Sequence, residues 1–171
     1  MFHTFTMRIF LALGSNLEKR EGYLQSGIRG LANLGIDIVR CASLYSTEPR
    51  DVLDQPRFIN TAVEAATVLS PDELLSACLE VEKENQRTRH ATKGPRTLDI
   101  DIIFYGNQIV QTGRLIIPHP RFAARRFVLV PLAEIAPQFI DPVSGKTIAT
   151  LLERCPDRGD VRLAGTLQQF S

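Results

Sequence analysis

Two segments with the apolar spacing of helices lie between strand-like segments, and this order limits the folds that the chain can adopt. The helical segments carry apolar residues three or four positions apart: Leu24, Ile28, Leu31 and Leu34 in the first, and Leu74, Cys78 and Val81 in the second. The strand-like segments are residues 9–13, 36–47, 58–68 and 98–105. The order strand, helix, strand, strand, helix, strand predicts an α+β fold, a ferredoxin-like α/β sandwich with helices packed on an antiparallel sheet.

Turn and capping residues mark the ends of these segments. Residues 70–73, Ser-Pro-Asp-Glu, have the form of a capping box with proline at the first helical position, so the second helix should begin there. Gly35 should end the first helix. Short extended pieces at 109–110 and 115–117 precede a further helix over 127–136, which gives the fold a helical tail. Without a repeat or linker, residues 1–171 should form one domain, and Met7 offers an alternative start because residues 1–6 carry no clear structural signal.

Composition excludes several classes of function. Twenty basic residues against nineteen acidic ones are too balanced for a protein that holds nucleic acid by bulk charge. No apolar run reaches the ~18 residues that a membrane span requires. The three cysteines are far apart and lack the spacing of a metal or redox motif. We therefore expect a cytoplasmic protein in a reducing compartment.

Two acidic residues stand two positions apart in the last predicted strand. Asp99 and Asp101 should share one face, with Ile100 and Ile102 on the other. Such neighbouring carboxylates repel and raise each other's pKa unless cations neutralise them, and oxygen ligands without His or Cys favour magnesium. The alternative is an exposed strand face that carries acids without a ligand.

Positive charge is concentrated around these two acids. Residues 87–126 contain eight basic residues and only two acidic ones, whereas the rest of the chain has twelve basic and seventeen acidic. Most of the eight are arginines, which can grip phosphate oxygens with two hydrogen bonds. The pattern favours a polyphosphate ligand. A solvated basic face is the alternative.

Two further polar residues are candidates for ligand contacts. His119 lies between two prolines that restrict its backbone, and its closeness in sequence to Arg121 and Arg125 favours a phosphate contact over a purely structural role. Asn60 interrupts an apolar strand and needs partners if it is buried. Its amide could pair with the edge of a polar heterocycle or form a cross-strand hydrogen bond.

Several motifs, taken in order, resemble the 6-hydroxymethyl-7,8-dihydropterin pyrophosphokinase family. The most specific is the run Gly-Pro-Arg-Thr-Leu-Asp-Ile-Asp-Ile at residues 94–102. The others are residues 13–17, 45–49, 54–60, 118–127 and 134–137, so the resemblance covers roughly residues 9–152. It implies an enzyme that transfers pyrophosphate from ATP to a pterin alcohol in folate biosynthesis.

The resemblance also implies roles for individual residues. The implied catalytic set is Arg87, Arg96, Asp99 and Asp101, of which the two aspartates would hold two magnesium ions. The implied ATP-binding set is Glu82, Arg89, Ile102, His119 and Arg125. The implied pterin-binding set is Thr47, Glu48, Pro49, Phe58, Asn60 and Phe127. The partners implied are small molecules, ATP and the pterin, with no nucleic acid, membrane or obligatory protein partner.

Two other functions fit part of the pattern. A sheet of this topology can stack bases in an RNA-binding module, although adjacent acids on its central strand would repel a phosphate backbone. A nucleotidyltransferase could use the same pair of aspartates for metal binding, and it would release pyrophosphate where a pyrophosphokinase releases AMP.

Overall fold

An antiparallel sheet forms the centre of the molecule. The computed structural model describes residues 5–15, 20–48, 56–86 and 98–167. The strands within these residues are β1 (Met7–Ser15), β2 (Ile36–Cys41), β3 (Leu44–Thr47), β4 (Phe58–Thr67), β5 (Asp99–Tyr105), β6 (Val110–Gln111), β7 (Ile116–Ile117) and β8 (Val161–Gly165). The main sheet has the order β5-β1-β4-β3-β8, with β2 also paired to β4, while β6 and β7 form a separate hairpin. The predicted α+β sandwich with an antiparallel sheet is confirmed.

Helices cover both faces of this sheet. They are α1 (Arg20–Asn33), α2 (Pro71–Gln86), α3 (Arg126–Ile135) and α4 (Ile148–Glu153), with a short 3-10 helix at Phe122–Ala124. Alternate residues of each strand point to opposite faces, so two apolar clusters form. One joins β1 residues such as Leu11 and Leu13 to α1 and α2, and the other joins Phe10 to α3 and α4. Among the residues described, no helix has the length and hydropathy to cross a membrane.

The predicted ends of the helices are confirmed at two points. The backbone N–H of Ser70 donates to Oε1 of Glu73, and the N–H of Glu73 donates to Oγ of Ser70, both at 3.2 Å. This reciprocal pair is the capping box at the start of α2, and its hydrogen bonds lower the pKa of Glu73. Gly35 follows α1 with a positive φ of 86°, a conformation that glycine adopts without a steric penalty.

Two predictions about the strands were wrong in part. One strand is predicted over 36–47, but the structure divides it into β2 and β3 at Ala42. The N–H of Ala42 still donates to the carbonyl of Ala62 on β4, whereas its carbonyl accepts from a side chain, Oγ1 of Thr61. The tail is not purely helical, since β8 follows α4 and pairs with β3. The sequence of β8 hides this because an edge strand with exposed residues such as Leu163 lacks a clear apolar alternation.

Candidate active site

Four residues lie side by side across the strands of the sheet. In the pairing register Asp99 of β5 is opposite Gly14 of β1, Gly14 is opposite Asn60 of β4, and Asn60 is opposite Tyr45 of β3. Residues that are opposite each other in an antiparallel sheet share a face. Because neighbouring strands are about 4.8 Å apart, the backbones of Asp99 and Asn60 are separated by roughly 10 Å. An acid and an amide thus stand on one face with a glycine between them.

Small residues form the floor between the polar side chains. A Cβ atom on Gly14 would lie 2.5 Å from Oδ1 of Asn60, so only glycine fits beside this amide. The next row along the strands contains Asp101, Ala12 and Ala62 in register. Between the carboxylates of β5 and the amide of β4, these rows therefore carry no side chain larger than a methyl group.

A hydrogen bond holds the Asn60 side chain beside Gly14. Asn60 and Thr47 are only 7% and 3% exposed, and Nδ2 of Asn60 donates to Oγ1 of Thr47 across 2.7 Å. The bond fixes which end of the amide faces β3. It uses one N–H of the amide, so a planar ligand could still engage a second N–H and the carbonyl oxygen. The cross-strand bond and a ligand contact, posed as alternatives from the sequence, are compatible.

The two aspartates occupy the face that the alternation predicts. Asp99 and Asp101 are half-buried, whereas Ile100 and Ile102 between and beyond them are buried in the opposite apolar cluster. Within the described ranges no group of three or more His, Cys, Asp or Glu residues could cage a metal ion. A pair of carboxylates suits magnesium, which commonly takes one or two protein carboxylates and completes its shell with phosphate oxygens and water.

A cavity of about 300 Å³ opens beside β5. Asp101, Ile102 and His119 line it together with Leu75 of α2 and the segment 112–116 from the β6–β7 hairpin. Its volume is at the lower end of the range for small-molecule pockets. The structure therefore places a metal-binding candidate, an apolar side chain and a histidine around one opening.

His119 is fixed by its own hydrogen bonds. Its backbone N–H donates to the carbonyl of Ile103 at 3.1 Å, and its Nδ1 accepts from the backbone N–H of Arg121 at 3.1 Å. Because Nδ1 is an acceptor, the neutral ring carries its proton on Nε2. Burial is the main cause that lowers the pKa of His119; Asp101 acts in the opposite direction, and Arg125 and Arg121 add to the lowering. The lowered pKa favours the neutral ring, which donates through Nε2.

The start of α3 brings two more predicted residues to this region. The guanidinium carbon of Arg125 lies 5.7 Å from the centre of the Phe127 ring, within the range of a cation–π contact. Phe127 and Phe58 are both half-buried, and Phe58 is opposite Thr47 in the register of β3 and β4. Glu48 follows β3 and is exposed.

The remaining predicted residues divide into two groups. Glu82 lies on α2, near the buried thiol of Cys78. Burial raises the pKa of that thiol to about 12, and the negative charges of Glu82 and Asp101 add to the increase. Arg87, Arg89, Arg96 and Pro49 lie outside the described residues.

Sequence reasoning missed the part that pairing register plays in the site. Gly14 lies just beyond the strand predicted over 9–13, yet in the sheet it separates Asp99 from Asn60. It also missed Glu134 of α3, whose carboxylate accepts from the N–H and hydroxyl of Ser43 and from the hydroxyl of Tyr45. Burial and, less strongly, this carboxylate raise the pKa of Tyr45 to about 12. Both residues lie within motifs of the sequence, but only their spatial neighbours show what they do.

We predict that Gly14→Ala will disturb the site more than the fold elsewhere. The new methyl group forces the Asn60 amide away, so binding of any ligand that this amide holds should weaken about tenfold or more, with a stability loss of ~1–3 kcal/mol. Gly22→Ala is the matched control. Gly22 lies in an exposed turn of α1, and a Cβ atom at this position would have no neighbour within 4 Å. Thermal unfolding and ligand titration of both variants check the prediction, and equal behaviour of the two would contradict it.

The sequence of this chain matches a known protein family and several of its members. A family model described as 7,8-dihydro-6-hydroxymethylpterin-pyrophosphokinase matches residues 10–137. A protein of Synechocystis named 2-amino-4-hydroxy-6-hydroxymethyldihydropteridine pyrophosphokinase is 46% identical over 145 residues, which are 84% of this chain and 74% of that protein. Its namesake in Pseudomonas aeruginosa is 40% identical over 159 residues, 92% of this chain and 98% of the relative.

Longer proteins contain a region similar to the same chain. A folic acid synthesis protein of Pneumocystis carinii is 39% identical over 149 residues, and the matched region is only 20% of that protein. The crystal structure of wild-type Plasmodium falciparum HPPK-DHPS with pteroate superposes with a TM-score of 0.69 at 15% identity, over 88% of this chain and 44% of the other. At this identity the superposition shows the fold alone.

Proposed function

The chain belongs to the 7,8-dihydro-6-hydroxymethylpterin-pyrophosphokinase family, and from this membership we infer that it transfers pyrophosphate from ATP to the hydroxymethyl group of 6-hydroxymethyl-7,8-dihydropterin in folate synthesis. The observation that most supports this function is the row of Asp99, Gly14 and Asn60 on one face of the sheet. The Asp99 carboxylate, on the proposed phosphate side, and the Asn60 amide, on the proposed pterin side, are then separated by roughly the length of a small molecule, with backbones about 10 Å apart.

The pterin is proposed to bind at the Asn60 end of the row. The Asn60 amide, held by Thr47, would pair with an edge of the bicycle that carries a donor beside an acceptor. The rings of Phe58 and Phe127 supply aromatic stacking, worth about 0.5–1.5 kcal/mol for each ring pair. The backbone of residues 47–49, including Glu48 and Pro49, completes the proposed pterin-binding set.

ATP is proposed to bind along β5 and the cavity beside it. The cavity wall from Asp101, Ile102 and His119 supports this placement, because it combines an acidic, an apolar and a donor group. The Nε2–H of His119 and the guanidinium of Arg125 would contact phosphate oxygens, while Ile102 and Glu82 would lie near the adenosine. Arg87, Arg89 and Arg96 are proposed to hold the triphosphate as well.

Asp99 and Asp101 are proposed to hold magnesium, and the pair suits two ions when ATP supplies further oxygen ligands. Bound there, magnesium would neutralise phosphate charge and polarise the phosphoryl group that is attacked. The two carboxylates would fix the position of the magnesium on the sheet, and the arginines would orient the triphosphate and offset the negative charge that develops during transfer.

The proposed reaction needs no protein nucleophile. The hydroxymethyl oxygen of the pterin bonds to the β-phosphorus of ATP, the bond from that phosphorus to the oxygen bridging the α-phosphate breaks, and AMP leaves with the electron pair. The hydroxyl proton passes to solvent. Rate enhancement then comes from holding both substrates in line on the face of the sheet that contains Gly14 and from excluding water from them.

Product analysis tests the proposed function. Incubation of the protein with ATP, magnesium and 6-hydroxymethyl-7,8-dihydropterin should yield AMP and the pterin diphosphate in equal amounts, with no AMP when the pterin is omitted. Release of pyrophosphate would favour a nucleotidyltransferase instead. Tight retention of RNA on filters without magnesium, in the absence of AMP formation, would favour the RNA-binding module.

A further inference from the structure

Helix α3 begins without a cap of its own. Its N-cap residue, Arg125, makes no side-chain capping hydrogen bond, and the first turn contains no acidic residue. Instead, Arg125 and Arg126 place positive charge at the end of the helix where the backbone dipole is also positive. Both effects disfavour a helix start at this point unless an anion from elsewhere compensates.

Asp157, 31 residues further along the chain, supplies that anion. Its Oδ2 accepts from the backbone N–H of Arg126 at 3.0 Å, and its Oδ1 accepts from the N–H of Gly159 at 2.8 Å. The second bond fixes the carboxylate within its own turn, so that the first is aimed at the helix. Buried Cys155 anchors the turn, because it lies in the apolar cluster on this side of the sheet.

The backbone N–H that Asp157 binds lies between two residues of the proposed site. Arg125 and Phe127 directly flank Arg126, and their side chains contact each other at the start of α3. A shift of the first helical turn would therefore move the proposed phosphate contact and one proposed aromatic wall together. The position of both depends on where the helix begins.

We propose that Asp157 is a positioning residue of the transfer reaction, which caps α3 and thereby orients Phe127 toward the pterin and Arg125 toward the phosphates. The inference rests on the proposed function. Because Asp157 acts through the position of the helix, it should affect substrate binding, measured as KM, more than the chemical step, measured as kcat.

Asp157→Ala should raise the KM for the pterin and for ATP about five- to tenfold while kcat stays within about twofold, which matches the loss of one capping bond. Asp157→Asn retains one acceptor oxygen but loses the negative charge and the second acceptor, so its KM values should lie between those of the wild type and those of Asp157→Ala. Asp72→Ala is the matched control: it removes an acid from the first turn of α2, which keeps its own capping box. It should leave both KM values unchanged.

Coupling to Phe127 separates positioning from a general loss of stability. If Asp157 acts through this ring, Asp157→Ala should raise the pterin KM much less in a Phe127→Leu background than in the wild type. Fully additive effects would overturn the route through Phe127. Gly159→Ala provides a milder variant should Asp157→Ala not fold, since its Cβ would lie 3.0 Å from Oδ1 of Asp157 and displace the carboxylate without removing it. A two- to threefold rise of both KM values is expected there.

The outcomes distinguish this inference from the function on which it rests. Absence of AMP formation by the wild-type protein would refute the function. An active wild type, together with an Asp157→Ala variant whose KM values equal those of Asp72→Ala, would overturn the positioning role alone, even if thermal unfolding showed a lower Tm.

Discussion

Asp101→Asn should lower kcat for AMP formation about a thousandfold, equivalent to ~4 kcal/mol of transition-state stabilisation. The substitution keeps the shape of a half-buried side chain on β5 and removes only the charge with which it is proposed to hold magnesium. Asp99→Asn should behave similarly. In both variants the magnesium concentration for half-maximal rate should rise, since one of two anionic ligands is lost.

A matched control separates the metal role from a general effect on the sheet. Asp37→Asn removes an exposed carboxylate from β2, far from the row of site residues, and should leave the rate and the magnesium dependence unchanged. Circular dichroism and thermal unfolding should show that all three variants are folded. Turnover by Asp101→Asn within about tenfold of the wild type would rule out the proposed metal site.

Asn60→Ala is expected to raise the KM for the pterin about a hundredfold, with the KM for ATP changed by less than twofold. The variant leaves polar atoms of the bound heterocycle without partners, and such buried unpaired groups each cost about 1–3 kcal/mol. Calorimetric titration with the pterin and initial rates at varied pterin concentration measure the effect. Similar increases in both KM values would mean that Asn60 supports the whole site rather than one substrate.

The control for this variant lies on the same strand. Thr61→Val removes another buried hydrogen bond of β4, the one from Oγ1 of Thr61 to the carbonyl of Ala42, which faces away from the row. It should lower the free energy of unfolding by about 1 kcal/mol without changing the pterin KM. Thr47→Val should give an intermediate result, because it frees the Asn60 amide from its restraint.

Local patterns sufficed to predict most of the elements. The capping box at Ser70 and the alternation of Asp99 and Asp101 with buried isoleucines depend on residues within a few positions, and the structure shows both. The break at Ala42 and the edge strand β8 depend on hydrogen bonds to distant strands, so periodicity could not reveal them.

The composition of the candidate site was easier to predict than its geometry. The carboxylates, His119 and Asn60 stand out as unusual residues in their local segments. That Gly14 lies between Asp99 and Asn60 follows only from the register of three strands, and that Asp157 reaches α3 follows only from the packing of the C-terminal segment. The sequence shows which residue types are present, whereas only the tertiary structure shows which of them are neighbours in space.

The ten residues of β4 divide between two tasks. Its first half pairs with β3 and carries Phe58 and Asn60, while its second half pairs with β2, ends at Thr67 and packs into the interior. Substitutions that impair substrate recognition and substitutions that impair folding should therefore segregate along a single strand. Variants of the second half can be compared by thermal stability alone, because these substitutions should leave the choice of substrate unchanged.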